Sequence, residues 1–258
     1  MESGTRFEGR TVLVTGASSG IGRACARLLA AQGASVVLAG RRRDRLEAVA
    51  AECRESGPGA LVVTGDVREE SICSQWVEAA LARFGGLDGL VNAAGVIGNG
   101  AIWDTAAPEW DRVMDSNAKS LYLMTRAAAD ALRARKGSVV NVGSVAGNRP
   151  YAGLMAYCVS KAAVEMITRC AALDFAPHGV RVNAVLPGVV VTELHTVTQA
   201  VADYAAFLER CKSTHPIGRV GQPEEIAALV AFLLSQESGW TTGACVAIDG
   251  GRGLASAR

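Results

Sequence analysis

Tyr157 and Lys161 lie four positions apart in the run Tyr157-Cys158-Val159-Ser160-Lys161, the spacing that sets two side chains on one face of a helix. A phenol beside an ammonium can move a proton. Alone, a tyrosine hydroxyl is a poor acid or base near neutrality, because its reference pKa is about 10 and a catalyst works best when that value approaches ambient pH. A unit cation about 4 Å away at an effective dielectric near 20 contributes roughly 4 kcal/mol, about three pK units, towards the phenolate. Such a pair suits proton transfer at a substrate oxygen.

A second chemical signal is Thr15-Gly16-Ala17-Ser18-Ser19-Gly20-Ile21-Gly22. Glycines let a backbone turn tightly and approach a pyrophosphate, and free N–H groups at a helix start face its negative charge. The spacing G-x-x-x-G-x-G differs from the G-x-G-x-x-G of the long-chain dinucleotide folds. Gly16 to Gly20 also fits G-x-S-x-G, the nucleophile elbow of serine hydrolases, with Ser18 as nucleophile. That elbow follows several earlier strands, whereas ten residues precede the first strand here.

The elements that must position these groups alternate. Short β-branched runs (Thr11–Thr15, Ser35–Ala39, Ala60–Thr64) are followed by amphipathic stretches (Arg23–Ala31, Asp44–Glu55, Glu69–Phe84), which predicts a βαβαβ unit. Further strands are expected near Leu87–Asn92, Ser138–Val142, Val180–Leu186 and Ala244–Ile248, with helices over Glu109–Ala134, Ala152–Phe175 and Pro223–Leu234. The prediction is one α/β domain over residues 1–258 with seven parallel strands, right-handed crossovers and helices on both faces. Ligands of such sheets bind beyond the carboxyl ends of the strands. The chemistry-bearing residues fall there: Asp66 and Val67 after the third strand, Asn92, Ala93 and Gly95 at and after the fourth, Ser144 after the fifth, and Pro187, Gly188, Val190 and Thr192 after the sixth. Taken singly, Asp66 reads equally as a helix cap and Pro187-Gly188 as a strand terminator. Their shared edge is the signal.

In the order TGASSGIG, Asp66, NAAG, Asn117, Ser144, Tyr157-x-x-x-Lys161 and PGVVVT, the chain resembles the short-chain dehydrogenase/reductase family, and within it the 3-oxoacyl-acyl-carrier-protein reductase-like branch. The resemblance runs from about residue 8 to Gly251. It implies a doubly wound Rossmann-type sheet of order 3-2-1-4-5-6-7, a nicotinamide cofactor and a catalytic tetrad of Asn117, Ser144, Tyr157 and Lys161. By the same resemblance Lys161 holds the nicotinamide ribose, Ser144 hydrogen-bonds the substrate oxygen, and Asn117 supports a water chain leading to Lys161. Gly16, Ser18, Ser19, Gly20 and Ile21 cradle the pyrophosphate, Asp66 and Val67 resemble adenine contacts, Asn92, Ala93 and Gly95 line the central groove, and Pro187, Gly188, Val190 and Thr192 border the carboxamide. Two departures are mild: alanine at 94 where a second asparagine is frequent, and Gly143 where serine often precedes the catalytic serine.

An acidic residue at the end of the second strand would accept ribose hydroxyls and repel a 2′-phosphate, while arginine would attract that phosphate. Here the strand ends Leu38-Ala39-Gly40-Arg41-Arg42-Arg43. NADP(H) is therefore expected in preference to NAD(H), with Arg41 as the phosphate contact and Arg42 or Arg43 as helpers; the competing view is a solvated loop capped by Asp44. Substrate identity should reside in Val191–Cys211, where Leu194, Val197, Val201, Tyr204, Phe207 and Leu208 interleave with polar residues as a lid helix or a packed surface helix would. Val96–Trp103 and Tyr151 form the opposite wall. A hydrophobic ketone or secondary alcohol fits.

Composition sets the remaining bounds. Lys+Arg 26 against Asp+Glu 25 gives a formal charge of +1, which lacks the field that nucleic acid or anionic lipid would require. Seven scattered cysteines without C-x-x-C and three separated histidines predict no disulfide framework and no metal site. Without a leader-like start or a long apolar run, a soluble cytoplasmic protein is expected. In Ala152–Phe175 the residues Lys161, Glu165 and Arg169 share one stripe and leave the remainder apolar, which predicts burial against another subunit in a homotetramer or dimer. A catalytically idle NADP-binding regulator and a serine hydrolase are the rival functions.

Overall fold

The computed structural model describes residues 6–194 and 203–254. Its strands are β1 (Thr11–Thr15), β2 (Ser35–Gly40), β3 (Gly59–Thr64), β4 (Gly89–Asn92), β5 (Ser138–Val142), β6 (Arg181–Pro187) and β7 (Cys245–Ile248). All pair in parallel, in the order β3-β2-β1-β4-β5-β6-β7. The expected doubly wound sheet is therefore present, and its winding reverses between β1 and β4, which opens a crevice at their carboxyl ends.

Strand periodicity divides the core into two layers. Val12 and Val14 of β1 face one side with Val36 and Leu38 of β2, under α1 (Gly20–Ala31) and α9 (Pro223–Leu234). Leu13 and Val37 face the other side, with Trp76 of α3 (Glu70–Phe84) and Met124 of α5 (Ser120–Ala127). Burial on both faces explains why these strands read as continuous aliphatic runs. The remaining helices are α2 (Arg43–Ser56), α4 (Ala107–Met114), α6 (Ala129–Arg135), α7 (Met155–Phe175) and α8 (Tyr204–Ser213).

Three expectations need correction. The helix anticipated over Glu109–Ala134 is α4, a π-turn at Asp115–Lys119, α5 and α6; the π-turn inserts an extra residue and re-aims the side chains on it, Asn117 among them. Lys161 and Glu165 do not form an outward polar stripe, because both are buried and only Arg169 reaches solvent. The outward face of α7 carries Val159, Met166 and Leu173 instead, seven residues apart and all exposed. Finally, Arg42 occupies the start of α2, so Asp44 lies in its first turn and does not cap it. Among the described residues no helix is long and apolar enough to cross a membrane, and no three His, Cys, Asp or Glu side chains cluster as metal ligands would.

Candidate active site

The carboxyl edge of the sheet borders a cleft of about 510 Å³, within the usual range for small-molecule sites. One end is built on the turn between β1 and α1. Gly16 has φ +67, and a side chain there would bring its first carbon within 2.8 Å of the Ala94 nitrogen. Only glycine lets the two loops approach this closely. Thr15 Oγ1 fixes the approach by accepting the Ala93 and Ala94 amides at 3.1 and 3.2 Å. Ser19 precedes α1 without a side-chain cap, so the first-turn N–H groups remain to meet an anion. These features fit a dinucleotide pyrophosphate.

Gly16, Ser18, Ser19, Gly20, Ile21, Arg41, Asp66, Val67, Ala93, Gly95, Ser144, Tyr157, Lys161, Pro187, Gly188, Val190 and Thr192 all line this cleft. Two residues of the sequence reading do not. The Asn92 amide turns into the core, where it donates to Thr125 Oγ1 at 3.1 Å and to Asn141 Oδ1 at 2.9 Å; its strand position aims it inward. Asn117 stands behind the lining, with Oδ1 accepting the Val96 amide at 2.8 Å and Nδ2 donating to Val96 O and Ser160 Oγ, each at 2.9 Å. Both amide protons are thus engaged, and the side chain clamps the loop after β4 to α7.

The three arginines after β2 take different positions. Arg42 reaches the glycine loop, donating to Ser18 Oγ and Ser19 Oγ, each at 2.8 Å, and to Glu193 at 3.3 Å. Arg45 shares that carboxylate. Arg41 lines the cleft beside it, whereas Arg43 points to solvent near Glu47. Asp66 lies in a two-pronged pair with Arg68, at 3.0 and 2.6 Å, which holds its carboxyl below the ordinary range. Ser18 therefore faces a guanidinium where a hydrolase requires a base. Of the histidines, described His215 is engaged elsewhere and His195 lies outside the described residues.

At the other end, Ser144 caps the short turn Val145–Gly147 by accepting the Ala146 amide at 3.1 Å. Its hydroxyl lies near the Tyr157 side chain, and both residues line the cleft. Lys161 Nζ lies 5.8 Å from the centroid of the Tyr157 ring and donates to Val142 O at 2.9 Å. Burial raises the Tyr157 hydroxyl above its ordinary value, the neighbouring Ser144 hydroxyl offsets part of that rise, and the lowering by Lys161 expected from the sequence does not accompany it. Burial pushes the Lys161 ammonium down to about 8. Desolvation acts on both partners, a term that spacing along a helix does not contain.

Ile97, Leu154, Leu194 and Phe207 line the substrate end. Ile102 and Trp103, expected in the wall, are exposed, and Val197 and Val201 lie outside the described residues. Leu208 is half-buried and not part of the lining. Tyr204 does more than pack, since its hydroxyl accepts the Thr192 amide at 3.0 Å and donates to Thr192 O at 2.9 Å. Sequence reasoning missed this clamp, and also missed Arg252, which closes the far end of the cleft.

The family model described as enoyl-(acyl carrier protein) reductase matches residues 16–252. The chain belongs to the short-chain dehydrogenase/reductase family. Within this family of oxidoreductases, cyclopentanol dehydrogenase of Comamonas testosteroni is 37% identical over 247 residues, which cover 95% of this chain and 98% of the relative. Trans-4-hydroxycyclohexanecarboxylate dehydrogenase of Sinomonas cyclohexanicum is 36% identical over 252 residues, covering 95% and 93%. A short-chain type dehydrogenase/reductase from Mycobacterium marinum superposes with a TM-score of 0.88 at 36% identity, covering 95% of this chain and 96% of that one.

Proposed function

We propose that this protein is a cytoplasmic, single-domain NADP(H)-dependent oxidoreductase that interconverts a ketone and a secondary alcohol, with Tyr157 as the acid/base. The observation that carries the reading is a shared cleft: Ser144, Tyr157 and Lys161 line the same depression as the uncapped start of α1 and Arg42. When bound, the nicotinamide supplies or accepts the hydride. Ser144 and the Tyr157 hydroxyl hold the substrate oxygen. Tyr157 carries its proton at neutral pH because burial raises it, so in the reductive direction it donates that proton to the oxygen. Lys161, still largely charged at pH 7, stabilises the phenolate left behind and holds ribose hydroxyls. Asn117 positions the loop after β4 and its neighbour Gly95, where an added side-chain carbon would stand 3.7 Å from Lys161 Nζ.

Arg42 and Arg41 favour a 2′-phosphate, and Gly40 places no carboxylate against it. Gly16, Ser18, Ser19, Gly20 and Ile21 hold the pyrophosphate, Asp66 and Val67 border the adenine, and Pro187, Gly188, Val190 and Thr192 border the carboxamide. The relatives' alcohols and the apolar wall of Ile97, Leu154 and Leu194 support a ring-sized or short hydrophobic secondary alcohol. Absorbance at the NADPH band is the test, read across a panel of ketones and secondary alcohols with NADPH and NADH in parallel. Turnover of at least one pair, faster with NADPH, is expected. Tight cofactor binding without turnover of any member makes the protein an idle regulator and overturns the reading, as does ester hydrolysis that depends on Ser18.

A further inference from the structure

Besides Arg68, which is paired with Asp66, Arg252 is a cation lining the cleft that this reading does not use. It follows β7 and lines the end of the cleft away from Arg42. Its guanidinium stacks 5.1 Å from the centroid of the Tyr151 ring, donates from Nε to Tyr151 Oη at 3.0 Å and from Nη1 to Thr214 Oγ1 at 2.5 Å. A guanidinium has five N–H donors. Two are engaged, and the other three find no acceptor among the described residues, nor does any carboxylate pair with Arg252.

The surroundings sharpen this imbalance. Arg149 lies 5.9 Å from the centroid of the same Tyr151 ring and donates to Arg252 O at 2.7 Å, so two cations adjoin one phenol. The neighbouring carboxylate, Asp249, accepts the Gly251 and Gly253 amides at 2.9 and 2.6 Å and thereby fixes the backbone on either side of Arg252. The described acids that line the cleft, Asp66 and Glu193, are paired with arginines at the cofactor end. Tyr151 in turn packs with Leu194 against the cluster containing Tyr157 and Ile97. An apolar wall thus runs from the reacting phenol to a preorganised cation.

We propose that Arg252 binds an anionic group, a carboxylate or an acid of similar geometry, at the end of the substrate remote from its carbonyl. The substrate class is an oxo acid and its hydroxy acid counterpart. A partly desolvated guanidinium with open donors favours a planar two-oxygen acceptor over a neutral tail. The inference rests on the redox reading above and goes beyond it, because that reading requires no charge on the substrate.

The test compares oxo acids of increasing length (3-oxobutanoate, 4-oxopentanoate and 4-oxocyclohexanecarboxylate) with their methyl esters, which keep the ketone and remove the charge. For at least one pair the wild-type kcat/KM should favour the acid by about tenfold to a hundredfold, the range of one charged hydrogen-bonded contact. Arg252→Gln should erase that preference mainly through KM while changing the ester by less than about threefold, and Arg252→Lys should restore part of it. Equal handling of acid and ester by the wild type overturns the proposal. So does an equal loss on both substrates in Arg252→Gln, which makes Arg252 a strut for the chain end. If no ketone, charged or neutral, is reduced with either nicotinamide, the redox reading itself has failed, a result distinct from both.

Discussion

His215 Nε2 accepts the Val189 amide N–H at 3.1 Å, behind the loop after β6 that lines the cleft. A side-chain carbon at neighbouring Gly188 would stand 2.9 Å from the same nitrogen, so histidine and glycine fit as a pair. Because Nε2 accepts, Nδ1 carries the proton and donates to Cys211 O at 2.6 Å. The ring is buried and must be neutral to hold the loop.

Burial, aided by Arg252 and opposed by the Cys211 carbonyl and Asp249, lowers the His215 pKa. With a folded pKa below the unfolded one, its contribution is complete above the ordinary histidine value of about 6.5 and is lost as pH falls below it. Urea unfolding at pH 7.5 and 5.5 should show the wild type losing more stability on acidification than His215→Leu. At pH 7.5 the variant, which orphans the Val189 amide, should be less stable by about 1–3 kcal/mol. Parallel pH slopes would refute the assignment.

Tyr157→Phe keeps the ring that packs against Ile97 and Ala146 and removes the proton donor. Turnover should fall by about 10²–10⁴-fold, while NADPH binding followed by fluorescence stays near the wild-type value. Retained turnover would remove the phenol from the reaction.

Cofactor choice should reside at Arg42. Arg42→Ala should weaken NADPH binding by about tenfold to a hundredfold, the worth of hydrogen bonds to a charged group, and leave NADH nearly unchanged. Gly40→Asp should invert the preference, and the fold has room for it, since the nearest atoms to an added carbon are Leu46 methyls at 3.8 Å. Titration with both nucleotides checks each variant, and equal weakening of the two would place Arg42 in loop support alone.

Lys161 is held at a thermodynamic disadvantage. Its folded pKa is about 8 against 10.5 for the free group, so its contribution is full above the unfolded value and is lost as pH falls towards 8. The linkage is on the order of 3 kcal/mol. Between pH 8 and 10 the wild type should gain stability relative to Lys161→Met, which should also be inactive throughout. Superimposable stability profiles would show that the ammonium is well solvated.

Val159, Met166 and Leu173 form one exposed stripe on α7, the surface on which a second subunit would close. Leu173→Glu should reduce the mass found by light scattering from a dimer or tetramer towards the 26.7 kDa of one chain. A wild type already at that mass would contradict assembly.

The alternation of strands and helices, the glycine turn and the pairing of Tyr157 with Lys161 were legible in the residues alone, because each depends on local geometry: period two in strands, a helical turn of four, and glycine where chains approach; the order of the strands came only with the family resemblance. The sequence also placed Ser144, Gly188 and Thr192 at one edge, since a parallel sheet puts every strand's carboxyl end there. What it did not contain was direction and environment. Only the tertiary structure turned Asn92 into the core, carried Asn117 on a π-turn onto Val96, set Arg42 against the glycine loop, and brought His215 behind the loop after β6 and Arg252 to the cleft from distant segments. It likewise set the direction in which the Tyr157 and Lys161 pKa values move, because desolvation depends on what surrounds a group in space, and that is fixed by packing between elements far apart in the chain.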